Sequence, residues 1–406
     1  MLLRWAARVI VAMLLCVVSS SAQAAEPGES LTISVLTIGP GDQAFSKFGH
    51  IAILIEDAEK DPDLVYNYGT FSFDSPTLVA DFLKGRLRYW LSVETREHMV
   101  KGYARARRTV TQQELELSPA QRLQIRDFLT WNARSENRAY LYDYYRDNCS
   151  TRVRDVLDRT LAGALWRASR GPVSFTYRDH TRRLTAEDLP LYLGLDVLTG
   201  PLVDAPIRRW DEAFLPDKLE AILRDVTVAT PSGPKPLVRR ERVLATADRP
   251  PVRSAPPRWG AYFALLGAVL GGGLVAVGYG AASRRQARVL LGVLLSVLGA
   301  AAGLLGFVFL FFWVATNHEF GHKNADLLLC PPYLLALGVL GILLARGNPR
   351  AARAAFYLLA ATVVLGVVGV SGLWPQRNYE IAALVLPIWL GFASAVALAA
   401  RTRTTP

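Results

Sequence analysis

The rhythm of hydrophobic and polar positions changes twice along this chain. Residues 31–38 alternate and are β-branched, 50–56 form an apolar run, and 64–73 are rich in aromatics, so each predicts a strand. The polar residues 57–63 predict the turn between the last two. A helical rhythm begins at Ser118-Pro119-Ala120-Gln121, where a serine cap, a first-turn proline and a glutamine three residues after the cap predict a helix to about Asn132. A second helix follows Asn148-Cys149, because Val153, Val156, Leu157 and Leu161 share one face.

Beyond Pro257 the mixed pattern gives way to apolar segments of membrane-spanning length, five in all, over 259–282, 289–315, 327–345, 354–373 and 381–400. Arginines mark alternate turns: Arg284, Arg285 and Arg288, then Arg346, Arg350 and Arg353, then Arg401 and Arg403 in the tail. The positive-inside rule makes those turns cytoplasmic and puts loops 316–326 and 374–380 on the outer side, beneath the amino-terminal domain. Residues 227–257, rich in proline and arginine, read as an extended linker or stalk. The expected division is a signal peptide over 1–24, a soluble domain over 25–226, that linker, and a membrane domain over 258–406.

The amino-terminal segment fits export, with Arg4 and Arg8 before or within the apolar stretch 9–18 and Ala22-Gln23-Ala24 as small residues for cleavage. Cys16 follows Leu15, where a lipidation site wants a small residue, so it leaves with the signal. The formal charge of +11 requires no nucleic acid, since many arginines lie in inner turns and others can meet anionic headgroups. Arg105, Arg107 and Arg108 read as a solvated basic surface. There is no glycine-rich phosphate loop, so a nucleotide-using enzyme is not supported.

Export leaves Cys149 and Cys330, and Cys330 falls in a span, so no disulfide framework exists. A solitary thiol in an oxidising compartment points to chemistry. With Asn148 as cap, Cys149 sits at a helix start, where free amides and the helix dipole favour thiolate. His50, opening a strand, is the preferred base over His98 and His180, which lie among charged residues. Asn67 is the candidate to orient its ring, with Thr70 left open as an alternative. The tyrosines 140, 142, 144 and 145 read first as packing and second as contacts for acyl chains.

A competing motif, His318-Glu319-Phe320-Gly321-His322, matches the H-E-x-x-H pattern of zinc proteases. It lacks an obvious third ligand, for which Asp326 or Glu380 would have to stand in. No metal is therefore assigned.

Gly49-His50, Tyr66-Asn67-Tyr68-Gly69-Thr70-Phe71 and Tyr145-Arg146-Asp147-Asn148-Cys149-Ser150-Thr151-Arg152 resemble the periplasmic domain of the Lnb-type bacterial lipoprotein N-acyltransferases. His318, Asn324 and Leu327-Leu328 followed by Pro331-Pro332 resemble that family's outer loop and third span. Histidine before cysteine in chain order also resembles circularly permuted papain-like proteins such as lecithin:retinol acyltransferase. The resemblance implies an α+β, circularly permuted papain-like periplasmic domain followed by an all-α membrane domain, in the bacterial inner membrane. It implies a thiol acyltransferase without cofactor, taking an acyl chain from a membrane phospholipid and giving it to the N-terminal amine of an exported lipoprotein. Cys149, His50 and Asn67 would be catalytic, and Asn148, Arg152, His318, Asn324 and Asp326 would position substrate. A cell-wall cysteine peptidase or amidase is the alternative, as is the zinc protease. Oligomeric state is left open.

Overall fold

The computed structural model describes residues 26–401 apart from Phe73 and Ser75. The expected signal peptide, with Cys16, lies outside the described residues, as does Arg403. The soluble part is built on β1 (Leu31–Ile38), β2 (His50–Asp57), β3 (Lys60–Thr70), β4 (Arg88–Thr95), β5 (Val110–Leu115), β6 (Ala139–Leu141) and, much later, β7 (Thr227–Thr230), β8 (Gly233–Pro236) and β9 (Val238–Ala245). A seven-stranded sheet has the order β6-β4-β3-β2-β1-β5-β9, and its neighbours pair antiparallel.

The helices that position the site are α1 (Leu78–Lys84), α2 (Arg96–Arg105), α3 (Pro119–Asn132), α4 (Cys149–Thr160), α5 (Ala164–Ser169), α6 (Tyr177–Thr185), α7 (Leu189–Leu198), α8 (Arg209–Glu212) and α9 (Pro216–Asp225). Strands β1 and β2 are apolar on both sides because both sides are covered. Ile33, Val35, Ile51 and Ile53 pack with Ile125 of α3, Leu157 of α4 and Leu219 of α9. Leu36, Ile38, Ala52 and Leu54 pack with Met99 of α2 on the opposite face. Ser118 caps α3 through the reciprocal serine–glutamine arrangement expected from the sequence.

Two expectations change. The polar stretch 57–63 is mostly strand: the hairpin turn is only Ala58-Glu59, and β3 starts at Lys60 because its first residues are solvent-facing. The stretch read as a linker contributes β7, β8 and β9, and β9 closes one edge of the main sheet against β5. Its arginines misled because an edge strand with an exposed outer face carries charge where a central strand carries apolar residues. Beyond β9, residues 246–259 run to the first span without helix or strand.

Among the described residues, five helical segments are long and apolar enough to cross a bilayer: Gly260–Ser283, Arg285–Ala315, Asp326–Ala345, Pro349–Val370 and Tyr379–Ala400. Both outer loops meet α6 and α7. The Arg182 guanidinium donates to the Arg377 carbonyl at 3.0 Å, the Tyr192 hydroxyl to Glu380 at 2.7 Å, and the Gly200 amide to the Phe320 carbonyl at 2.6 Å. At the centre of this joint Arg178, 1 % exposed, donates to Asp196 and Asp204 at 2.8 Å each. The soluble domain thus stands on the side opposite the arginine-marked turns, as the charge pattern requires.

Candidate active site

Cys149 opens α4, and the reason is local. Asn148 is extended, its Oδ1 accepts from the amides of Ser150 at 2.9 Å and Thr151 at 3.0 Å, and Thr151 Oγ1 accepts from the Asn148 amide at 2.8 Å. The Asn148 Nδ2 donates to the carbonyls of Tyr144 and Phe214, and Ser150 Oγ to that of Ala213. These bonds fix where the first helical residue points. Arg152 secures the preceding turn, donating to Asp147 at 2.6 Å while lying over the Tyr140 ring.

Strand register puts His50, Asn67 and Glu94 on the α2 face of the sheet, through the pairs Leu54↔Val65 and Val65↔Glu94. The Asn67 Nδ2 donates to Glu94 at 2.8 Å. A carboxylate only accepts, so the amide is oriented with Oδ1 towards His50. There it accepts from His50 Nε2. The proton is therefore on Nε2, and Nδ1 keeps its lone pair. Thr70 instead shares a 2.7 Å hydroxyl contact with Ser92.

Cys149 comes from the other face. The two converge on Gly69, with φ +94°, where the β3–β4 register slips between Asn67 and Thr70. A Cβ there would lie 3.4 Å from the Cys149 Cβ and 3.9 Å from His50 Cε1. Only glycine leaves that space open in that conformation.

Charge around the pair runs against the expectation of an ionised thiol. Burial pushes the Cys149 thiol up to about 11, although the amides of Ile51, Ser150 and Cys149 and the charge of Arg108 oppose it. Burial also pushes His50 down to about 4, with the Asn67 bond working the other way and Arg108 reinforcing the fall. Desolvation outweighs the helix terminus, so the resting pair is neutral thiol and neutral imidazole. Cys149 remains partly open to solvent.

Residues 20–183 match the family model of the Lnb N-terminal periplasmic domain, and residues 269–404 match that of the Lnb transmembrane domain. The chain belongs to the Lnb family. No curated protein and no solved structure matches it. His50, Asn67, Glu94 and Cys149 all lie inside the span matched to the Lnb periplasmic domain.

In this Lnb chain Asn148 and Arg152 hydrogen-bond within the turn before α4 and hold the start of the helix that carries Cys149. Asn324, 3 % exposed, donates to the Val197 carbonyl and accepts from the Asp326 amide and from Gln376. Asp326, 1 % exposed, accepts from Asn378 at 2.7 Å. Both are enclosed in the domain joint. His318 keeps a partly open ring, with Nε2 donating to the Phe82 carbonyl at 2.6 Å.

The zinc-protease reading fails on geometry. Residues 319–321 form a single tight turn, His322 Nε2 donates to the Thr316 carbonyl at 3.0 Å, and Glu319 is paired with Arg146. The histidines therefore do not share the helix face that the motif needs. The rival bases also stand apart: His180 is buried between Glu212 and Arg183, and His98 is exposed on α2.

Sequence reasoning missed Glu94 and Arg108. Arg108 is 8 % exposed, lies over the Tyr103 ring at 4.8 Å and donates to the Gly39 carbonyl at 2.7 Å. Its neighbours Arg105 and Arg107 do face solvent. Nothing in the local pattern separates the three. Glu94 had a signal, since it sits where alternation along β4 directs a side chain towards Asn67.

Proposed function

We propose that this protein is an acyltransferase of the bacterial inner membrane that moves an acyl chain, through a thioester on Cys149, from a phospholipid ester to the N-terminal amine of an exported lipoprotein. The observation that supports the reading is the convergence of Cys149 and of a His50 ring whose free nitrogen is Nδ1 on the gap at Gly69, in a domain fastened to five apolar helices. A peptidase of the cell wall needs an anchor, not a membrane domain bonded to its catalytic domain at both outer loops.

In the first half-reaction the Cys149 proton passes to His50 Nδ1 as sulfur attacks the ester carbonyl carbon. The carbon–oxygen bond breaks, and the lysolipid leaves with the proton from His50. The rise of the thiol above neutrality favours transfer in step with attack over a standing thiolate. In the second half-reaction the lipoprotein amine attacks the thioester and gives its proton to His50. The carbon–sulfur bond breaks, and sulfur recovers that proton. The β2–β3 ladder starts only at Ile53↔Tyr66, which leaves the Ile51 amide turned to the sulfur and available, with that of Cys149, to the oxyanion.

Outside the cytoplasm an ester already made is the accessible acyl source, and the amide product makes the transfer downhill. Release of lysophospholipid by purified protein, dependent on Cys149 and continuing past one equivalent only when a lipoprotein acceptor is present, tests the reading. Release that persists in Cys149→Ala contradicts it.

A further inference from the structure

Two aromatic clusters cross from the soluble domain to the membrane domain, and they differ in exposure. Tyr145, Tyr177, Phe214 and Phe320 pack ring on ring and are 8 %, 7 %, 3 % and 5 % exposed, so they form a plug that holds the domains together. The second set is a row with an open side. Phe312, at the outer end of the second span, stacks on His318 at 5.1 Å, and His318 stacks on Tyr144 at 6.2 Å. Tyr144 meets Tyr142 edge-on at 5.8 Å, and Tyr142 stacks on Tyr89 at 4.1 Å.

The far end of the row lies beside the nucleophile: Tyr89 and Tyr142 pack against the same core as Cys149, and both feel its charge. Tyr144, in the middle, is 41 % exposed, and the rings on either side of it are only partly covered. Rings whose task was to fill a core would be enclosed like the first cluster. A row open along its length, running from a lipid-facing helix to a thiol, has faces suited to a flexible hydrocarbon.

We propose that Phe312, His318, Tyr144, Tyr142 and Tyr89 form the track on which the donor's acyl chain lies between the bilayer and Cys149, and that the row sets the chain length transferred. The proposal rests on the acyltransferase reading and deepens it. The occupant is the hydrocarbon tail of a membrane lipid ester, with the reacting carbonyl at the Tyr89 end and the chain methyl towards Phe312. The hydrogen bond from His318 to the Phe82 carbonyl fixes that ring in the row.

The test uses the full-length protein with mixed micelles holding equal amounts of lauroyl and palmitoyl phosphatidylethanolamine, reading the two adducts on Cys149 by intact mass. Wild type favours palmitoyl. Phe312 lies beyond the reach of a lauroyl chain whose carbonyl is at Tyr89, so in Phe312→Ala that preference falls about tenfold, equivalent to lost contact with roughly two methylenes. Phe312→Leu, which keeps apolar bulk, retains most of it. An unchanged ratio in Phe312→Ala and His318→Ala overturns the track. Equal loss of both adducts overturns it too, since the rings would then serve the thiol or the fold. If wild type forms no adduct with either lipid, the transferase reading falls and the track falls with it.

Discussion

His50 and Cys149 approach one gap from opposite faces of a single sheet, and the gap exists because residue 69 has no side chain. A methyl there would fill the gap, at ordinary contact distance from Cys149 and His50, while the backbone is held at φ +94°. Gly69→Ala is expected to cost about 1 kcal/mol or more of stability from the backbone conformation. Its larger effect falls on the space between thiol and imidazole, which the methyl occupies, and activity drops by about 100-fold, as misplacement of a reacting group does. Thermal unfolding measured beside the initial rate separates the two.

Asn67 and Glu94 fix which imidazole nitrogen carries the proton. Asn67→Ala leaves His50 free to adopt the unproductive tautomer, and kcat is expected to fall about 10-fold to 100-fold with KM little changed. Glu94→Gln can donate as well as accept, so it permits the Asn67 amide to turn over and produces a smaller loss of the same kind. Steady-state rates in both variants check this. A rise in KM alone would mean that these residues hold substrate.

The neutral resting pair has a pH signature. With the thiol pushed up to about 11 and His50 down to about 4, the thiolate fraction grows throughout the neutral and alkaline range. Iodoacetamide alkylation of Cys149 should keep accelerating as pH rises, where an ion pair would level off near neutrality. Arg108 favours the thiolate and disfavours the imidazolium, so Arg108→Met moves both groups upward. Alkylation at mildly alkaline pH slows, and Arg108→Lys restores most of the rate.

The joint between domains is sterically tight at Gly200. A Cβ there would stand 2.2 Å from the His322 carbonyl oxygen, whereas one at Gly194, on α7, would meet nothing within 4 Å. Gly200→Ala is expected to destabilise the protein by about 1–3 kcal/mol. Gly194→Ala is expected to stabilise it by about 0.5–1 kcal/mol through helix propensity. Thermal unfolding of the two variants in the same detergent checks the contrast.

The sequence made some parts of this arrangement readable and hid others. Ser118 and Asn148 announced two helix starts because a cap is a local contract between neighbours. The spans announced themselves by length, and their orientation by arginine. Strands β4 and β9 were not seen, since each has an exposed face whose charges dilute the alternation. His50, Cys149 and Asn67 were chosen by residue type and element, and the structure brings them together. The joint was hidden: Asn324 and Asp326 satisfy partners far away in the chain, and only folding brings Arg178, Asp196 and Asp204 together. The sign of the thiol's shift was hidden as well, because burial is a property of the assembled domain.

The central claim is a covalent acyl intermediate on Cys149. The most direct measurement is intact mass of the full-length protein after incubation with phospholipid and without acceptor. One added acyl chain is expected on Cys149, removed by hydroxylamine, absent in Cys149→Ala, strongly reduced in His50→Ala, and discharged when a lipoprotein with a free N-terminal amine is added. Acceptor N-acylation by wild type with no such adduct on Cys149, or undiminished N-acylation by Cys149→Ala, would contradict it.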